Sequence, residues 1–420
     1  MIEQIATNAE KDCSKLFQIV DSIVEANQKR VLNAFKTNRI GDYHFQSTDG
    51  YGYDDIGRDG LESLYAEIFG GEEALVRPQI VSGTHAISTV LFSLLKPGDE
   101  LLYITGSPYD TLEGVIGKSG NFDGSLKDYH VLYNEVDLKA DGSVDYNRIS
   151  QVLNHHTKVI GIQRSKGYAD RPSFTIEAIK EMIHFVKEIK SDVIVFVDNC
   201  YGEFVEVKEP LHVGADIIAG SLIKNPGGGI VRSGGYIVGN KELVLKAANR
   251  LTAPGLGKDA GATLDTLQEM YQGLFLAPHV VGQALKGAIF TARFLELIGF
   301  KTTPYYKANR TDLIQSVTFK DKDQMIAFCQ AIQEHSPINS FVKPYPSEMP
   351  GYNDEVIMAA GTFIQGSSIE LSADGPIREP YMAFVQGGLT YAHVKIAVVE
   401  SIKKLNKRNM LPKIGNEQYS

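Results

Sequence analysis

Cysteine is scarce in this chain of 420 residues: Cys13, Cys200 and Cys329 are too few and too scattered for a disulfide framework or a Cys-x-x-Cys metal knuckle. A reducing, cytoplasmic setting is the expectation. Blocks of basic charge are missing as well. The formal net charge is -9, from 42 basic against 51 acidic residues, and no Lys/Arg cluster stands out, which sets nucleic acid aside as a partner. No uninterrupted apolar run is long enough to span a bilayer, so no membrane partner is expected. Met1 to Lys15 carries Glu3, Glu10 and Asp12 and lacks the apolar run of a secretion signal. Metal ligands at productive spacing are also lacking, so no metal is expected; His155-His156, without partner ligands, reads as a solvated turn.

What is present is ordinary globular material, 43% hydrophobic and 22% charged, in a chain too long for one growing core. Residues 14–37 place Leu16, Ile19, Val20, Ile23, Val24, Val31 and Phe35 at helical spacing, within an N-terminal helical arm over 1–50. The segment Gly50 to Arg58 is too rich in glycine for regular structure, and Asp59-Gly-Leu-Glu62 reads as a capping box. From residue 74, short apolar runs alternate with amphipathic stretches, the signature of βα repeats around a mainly parallel sheet. Seven strands are predicted: Ala74–Val81, Leu101–Thr105, His130–Tyr133, Val159–Gln163, Val193–Asp198, Ile217–Gly220 and Gly234–Gly239. Helices are predicted at 85–95, 109–118, 145–153 and 175–190, with long helices over 259–298. This makes 51–298 a large domain and 299–420 a smaller C-terminal α/β domain, with strands at 313–319, 356–364 and 368–371 and helices at 321–335 and 391–404.

Four segments carry chemistry. Ser82-Gly83-Thr84-His85-Ala86 follows a strand and opens a helix, so the first-turn amides and the helix dipole favour an anion such as phosphate. Ser107-Pro108-Tyr109 lies past another strand end, where ligands collect in open α/β sheets, and Tyr109 is placed to stack on a flat ring. Val195 to Asp198 is an apolar strand that ends in a carboxylate, which a protonated ring nitrogen would partner. Ser221-Leu-Ile-Lys224 then follows an apolar run and precedes Gly227-Gly-Gly229; a partly desolvated lysine there is suited to imine formation. That glycine run is not a dinucleotide fingerprint, since it stands too late in the chain and lacks the Gly-x-Gly-x-x-Gly spacing.

With these segments in this order, the chain resembles the fold-type I pyridoxal 5'-phosphate (PLP) enzymes of aspartate-aminotransferase-like fold. Within them it resembles the cystathionine and methionine gamma-lyase group, and the subgroup labelled cystathionine beta-lyases involved in aluminium resistance. The resemblance runs from about Tyr51 to the C-terminus, and Ser372-Ala-Asp-Gly-Pro-Ile-Arg378 belongs to it. It implies that Gly83, Thr84 and Ser221 hold the cofactor phosphate, Tyr109 stacks on the ring, Asp198 holds the pyridine nitrogen and Lys224 carries the Schiff base. Lys224, Tyr109 and Asp198 would be the catalytic set. Arg58 would reach the phosphate of a neighbouring subunit in a homodimer or homotetramer with shared sites, and Arg378 would grip the substrate carboxylate. Ile223 stands where the lyases carry a threonine. The implied activity is a carbon-sulfur lyase on a sulfur-containing L-amino acid of cystathionine or methionine type; the alternative is an aminotransferase or another PLP-dependent amino-acid enzyme.

Overall fold

The computed structural model describes residues 1–119 and 123–412. In chain order its helices and strands are α1 (Ile2–Thr37), α2 (Ile56–Phe69), β1 (Glu73–Arg77), α3 (Gly83–Leu94), β2 (Glu100–Tyr103), α4 (Asp110–Ile116), β3 (Leu132–Glu135), α5 (Tyr146–Val152), β4 (Thr157–Gln163), α6 (Ile176–Ile189), β5 (Ile194–Asp198), β6 (Ile217–Ser221), β7 (Gly235–Gly239), α7 (Lys241–Leu251) and α8 (Leu267–Ile298). After α8 come β8 (Lys301–Thr303), β9 (Gln315–Thr318), α9 (Lys322–Glu334), β10 (Val356–Ala359), β11 (Ser372–Pro376), β12 (Met382–Gln386) and α10 (Tyr391–Lys407).

The first seven strands form one sheet in the order β1-β7-β6-β5-β4-β2-β3. Only β7 runs antiparallel to its neighbours, β1 and β6. The near-continuous apolar character of β4, β5 and β6 is that of strands covered on both faces. One face carries α3 and α7, with Ile87, Val90, Leu91, Val244 and Ala247 in its core; α2, α6 and α8 cover the other. The second sheet, β10-β11-β12-β9-β8, is wholly antiparallel and packs against α9 and α10.

Several elements differ from the sequence reading. The first helix begins at Ile2 rather than residue 14, because its early buried face is made of the small residues Ala6, Ala9 and Cys13, which give a weak apolar period. Ala6 and Ala9 join the core around the second sheet, and Cys13 joins that of the first. Helix α2 starts a turn before the expected capping box: the Asp55 carboxylate, not Asp59, caps it by accepting from the Arg58 amide at 2.8 Å. Strand β10 stops at Ala359, residues 368–371 form no strand, and β11 and β12 occupy the stretch beyond. Helix α7 and strand β8 were not anticipated.

Helix α8 is one helix of 32 residues, with Pro278 inside it. By length and composition alone it could cross a membrane, but Gly282, Lys286 and Gly287 interrupt its apolar sequence and 72% of its apolar window is buried in the protein. It packs along α1, and a Cβ on Gly282 would come within 2.3 Å of Val24 Cγ2. Glycine at 282 therefore permits this close helix contact.

Candidate active site

The parallel strands deliver the site. β4, β5 and β6 are neighbours, and their carboxyl ends present Gln163, Asp198 and Ser221 side by side. All three line one cavity, the place where open α/β sheets receive ligands. Gln163 and Asp198 are partners in register, so one strand end fixes the other.

Helix α3 points its N-terminus into the same place. Ser82 caps it, its Oγ accepting from the His85 amide at 3.0 Å. The first amides of the helix, those of Gly83 and Thr84, have no intrahelical acceptor, and both residues line the cavity. A Cβ on Gly83 would lie 3.2 Å from Cys200 Sγ and 3.4 Å from Ser221 Cβ, so glycine lets the helix end close onto the ends of β5 and β6. His85 is absent from the lining: its Nδ1 accepts from the Val81 amide at 3.2 Å, a local turn contact.

Asp198 is 6% exposed, and its Oδ1 accepts from the Cys200 amide at 3.1 Å. Burial pushes its carboxyl up, while the Lys224 charge and that amide pull it down. A buried carboxylate with a neighbouring cation suits a second cationic ring nitrogen. Lys224 follows β6 and precedes the short 3-10 turn Asn225–Gly227. Its ammonium lies 4.2 Å from the centroid of the Tyr201 ring. Tyr201 itself is held at φ +66, a conformation non-glycine residues seldom adopt, and its hydroxyl donates to the Ser367 carbonyl at 3.0 Å.

Tyr109 stands at the N-terminus of α4, with its hydroxyl 2.6 Å from that of Tyr352. Burial drives its phenol well above the ordinary range. Gly83, Thr84, Tyr109, Asp198, Ser221 and Lys224 thus meet around one cavity. Cys200, Tyr168, Tyr201, Tyr352, Gln163 and Gln386 also line it without having been picked out as site residues. They come from strand ends and loops far apart in the chain, which no local pattern links.

Two arginines sit in different settings from those read in the sequence. Arg58 is not a free side chain of a glycine-rich loop. It lies in the first turn of α2, is 2% exposed, and its guanidinium is held by the carbonyls of Gly52 and Gly261 and by Asp59. Arg378 does not line the cavity. It sits in the β11–β12 connection, 43% exposed, and pairs with Asp354 at 2.9 Å and with Asp110 at 3.7 Å. Two carboxylates therefore already occupy the guanidinium proposed for substrate.

The methionine gamma-lyase family model matches residues 2–406. The chain belongs to that family. The Bacillus subtilis uncharacterized protein YnbB is 61% identical over 412 residues, which cover 98% of each chain. A Listeria monocytogenes structure with a provisional cystathionine beta-lyase name tied to aluminium resistance superposes with a TM-score of 0.94 at 61% identity, over 96% of this chain and 99% of that one. A Clostridium novyi structure named carbon-sulfur lyase involved in aluminium resistance superposes at 0.93 with 51% identity, over 96% of each chain. The protein is accordingly a PLP-dependent lyase, and its mainly parallel seven-stranded sheet with a smaller C-terminal sheet domain is the fold-type I architecture.

The residues fit the cofactor that the family implies. A helix N-terminus with two free amides beside the Ser221 hydroxyl suits a phosphate, a buried carboxylate suits a ring nitrogen, and a lysine between them suits an aldehyde. The close packing at Gly83, which a Cβ would disturb, is the cradle expected where backbone approaches a ligand.

Proposed function

We propose that this protein cleaves a carbon-sulfur bond of a sulfur-containing L-amino acid, of cystathionine or methionine type, with Lys224 as the residue that links covalently to PLP. The observation that carries this reading is the meeting of Gly83, Thr84, Asp198, Ser221 and Lys224 around one cavity. The carbon-sulfur lyase name of the Clostridium novyi relative supports it. When bound, the cofactor supplies the electron sink for the substrate's Cα. Lys224 Nζ would take the Cα proton, Tyr109 Oη would give a proton to the departing sulfur, and Asp198 would hold the ring nitrogen in its protonated form.

Borohydride reduction of the purified enzyme followed by peptide mapping tests the linkage: a pyridoxyl adduct is expected on Lys224 and is lost in Lys224→Ala. An adduct on another lysine refutes the assignment. Cystathionine, cysteine and methionine, supplied separately, should yield a 2-oxo acid with ammonia, pyruvate marking β and 2-oxobutanoate γ elimination. Passage of the amino group to an added 2-oxo acid would replace this reading with an aminotransferase.

We also propose a homodimer or homotetramer whose partner covers the mouth of this cavity. Val81 lines the cavity yet is 71% exposed. The stacked pair Tyr51 and Tyr53 is exposed nearby, the Tyr51 carbonyl accepting from Gly261 while Gln79 donates to Ala262. These tyrosines, rather than Arg58, are what the loop offers a neighbour. Sedimentation of Tyr51→Asp/Tyr53→Asp protein should show subunits dissociating; an unchanged assembly rejects this face.

A further inference from the structure

A second cavity, of about 370 Å³, lies between the large and the small domain and shares no lining residue with the candidate active site. Its walls come from the segment before α5, from the segment after β4 between Lys166 and Ser173, and from the end of β8 with the connection that follows it. The volume is that of a small-molecule pocket.

Three cations line this cavity: Lys166, Arg171 and Arg310. Lys166 is 1% exposed, and its Nζ donates to Ser316 Oγ at 3.0 Å. Arg171 donates through Nη2 to the carbonyls of Ser165 at 2.7 Å and Gln163 at 3.1 Å, and through Nη1 to that of Pro172 at 2.8 Å. Arg310 Nη2 donates to Gln315 Oε1 at 2.6 Å. Arg171 Nε, Arg310 Nε and Arg310 Nη1 are shielded from solvent and meet no acceptor on the protein among the described residues. Nor does any of the three cations form an ion pair there. Arg164, two positions before Lys166, is by contrast paired with Glu206 at 3.2 Å and Glu209 at 3.3 Å.

The buried carboxylate that lines the cavity is occupied by neutral donors. Asp312 Oδ2 accepts from Ser165 Oγ at 2.8 Å, from Ser173 Oγ and from the Lys166 amide at 3.4 Å, while its Oδ1 accepts from the Ile314 amide at 3.1 Å. Asp141 and Asp170 also line the cavity but are exposed, and Asp141 Oδ1 is turned to the amide and hydroxyl of Ser143. Burial pushes the Lys166 ammonium down to about 8, against Asp312 and Asp170, and the charges of Arg171 and Arg310 push it the same way. The three cations are thus near enough to repel one another, and buried charge of one sign without a partner is costly.

We propose that this interdomain cavity binds a small dianion, phosphate or a dicarboxylate, held by Arg310, Arg171 and Lys166. Guanidinium groups match the oxygens of either anion, and a ligand there would supply the acceptors that the arginine nitrogens lack. The site stands independently of the lyase reading.

Isothermal titration calorimetry of the PLP-loaded protein with inorganic phosphate and, separately, with succinate tests the proposal, in chloride buffer at constant ionic strength. Loading with PLP keeps the phosphate cradle at α3 filled, so binding there does not register. One dianion per subunit is expected, with affinity at least about tenfold weaker in Lys166→Met and in Arg310→Gln. Arg171 is kept in both, because its bonds to Gln163 and Ser165 shape the neighbouring active-site cavity. Arg310→Gln gives up only the hydrogen bond to Gln315 and carries the test if Lys166→Met does not fold. Either dianion that binds should also raise the thermal unfolding midpoint of the native protein and move the variants less. Tighter binding of phosphate assigns the site to a tetrahedral oxyanion, and tighter binding of succinate to a dicarboxylate. No binding of either probe at about 10 mM, well above a millimolar Kd, overturns the proposal, as does equal affinity in the native protein and the folded variants.

Discussion

Replacing Arg378 with alanine separates two roles for one guanidinium. If Arg378 gripped the substrate carboxylate, its loss would remove a charge-assisted pair and weaken binding by about 1.5–3 kcal/mol, roughly ten- to a hundredfold. The structure gives it a different task, since it joins Asp354 on a strap over residues 349–354, which packs on α4 through Gly351, to Asp110 on α4, at side-chain exposures of 43%, 37% and 22%. Exposed pairs of this kind contribute about 0.2–1 kcal/mol each, so the set holds the strap by about 1 kcal/mol. A loss of that size is about fivefold in an equilibrium constant, and KM should rise by no more than this. The absorbance and affinity of bound PLP should not change. Because the pairs are solvent-exposed, raising salt to about 1 M, where the Debye length is near 3 Å, should bring the native enzyme close to the variant. Arg378→Lys keeps the charge and should retain most of the native KM, which a bidentate carboxylate grip would not allow. The assay is steady-state 2-oxo acid release at low and high salt. A hundredfold KM increase that persists at high salt and is not relieved by lysine would refute the strap and restore the carboxylate grip.

Glu203 lies beneath the site, fully buried, with Oε1 accepting from the Tyr236 hydroxyl at 2.7 Å, and burial pushes its carboxyl up to about 8. The folded chain therefore keeps a proton that the unfolded chain releases above about pH 4.3, so stability falls as pH rises toward 8, by up to about 1.4 kcal/mol per unit. Urea unfolding should show Glu203→Gln matching the native protein near pH 4 and exceeding it at pH 8; an equal difference at both pH values would refute this. Gly83→Ala should change stability by no more than about 1 kcal/mol, since helix propensity gains what the contacts of 3.2 and 3.4 Å lose. PLP titration followed by absorbance should nevertheless show at least about tenfold weaker binding, from an amide displaced at the phosphate cradle. Unchanged affinity would place the phosphate elsewhere.

The part of the site that was legible in the sequence lies at strand ends. An apolar run that stops at Asp198 or Ser221 announces both the strand and the residue delivered at its mouth, and the first turn of a helix announces free amides at Gly83 and Thr84. Side chains that reach the cavity from irregular segments leave no such mark. Tyr168 and Tyr352 follow no period, and they line one cavity only because the small domain packs against the end of β4, with Arg164 and Ser165 bonded to Thr311 and Asp312.

Arg58 and Arg378 show how a small shift in an element misplaces a residue. With Asp55 rather than Asp59 as cap, Arg58 falls in the first turn of α2, where its guanidinium turns back to the Gly52 carbonyl instead of extending from a loop. The motif Ser372-Ala-Asp-Gly-Pro-Ile-Arg378 invites attention to its cation, since a substrate carboxylate needs one. Alternation along β11 puts residues 372, 374 and 376 on one face, and a strand continued to 378 would have carried Arg378 to the same side as Asp374. The strand ends at Pro376 instead. The strand therefore buries the acid Asp374, and the arginine is left in the turn beyond, where Asp354 and Asp110 of α4 hold it.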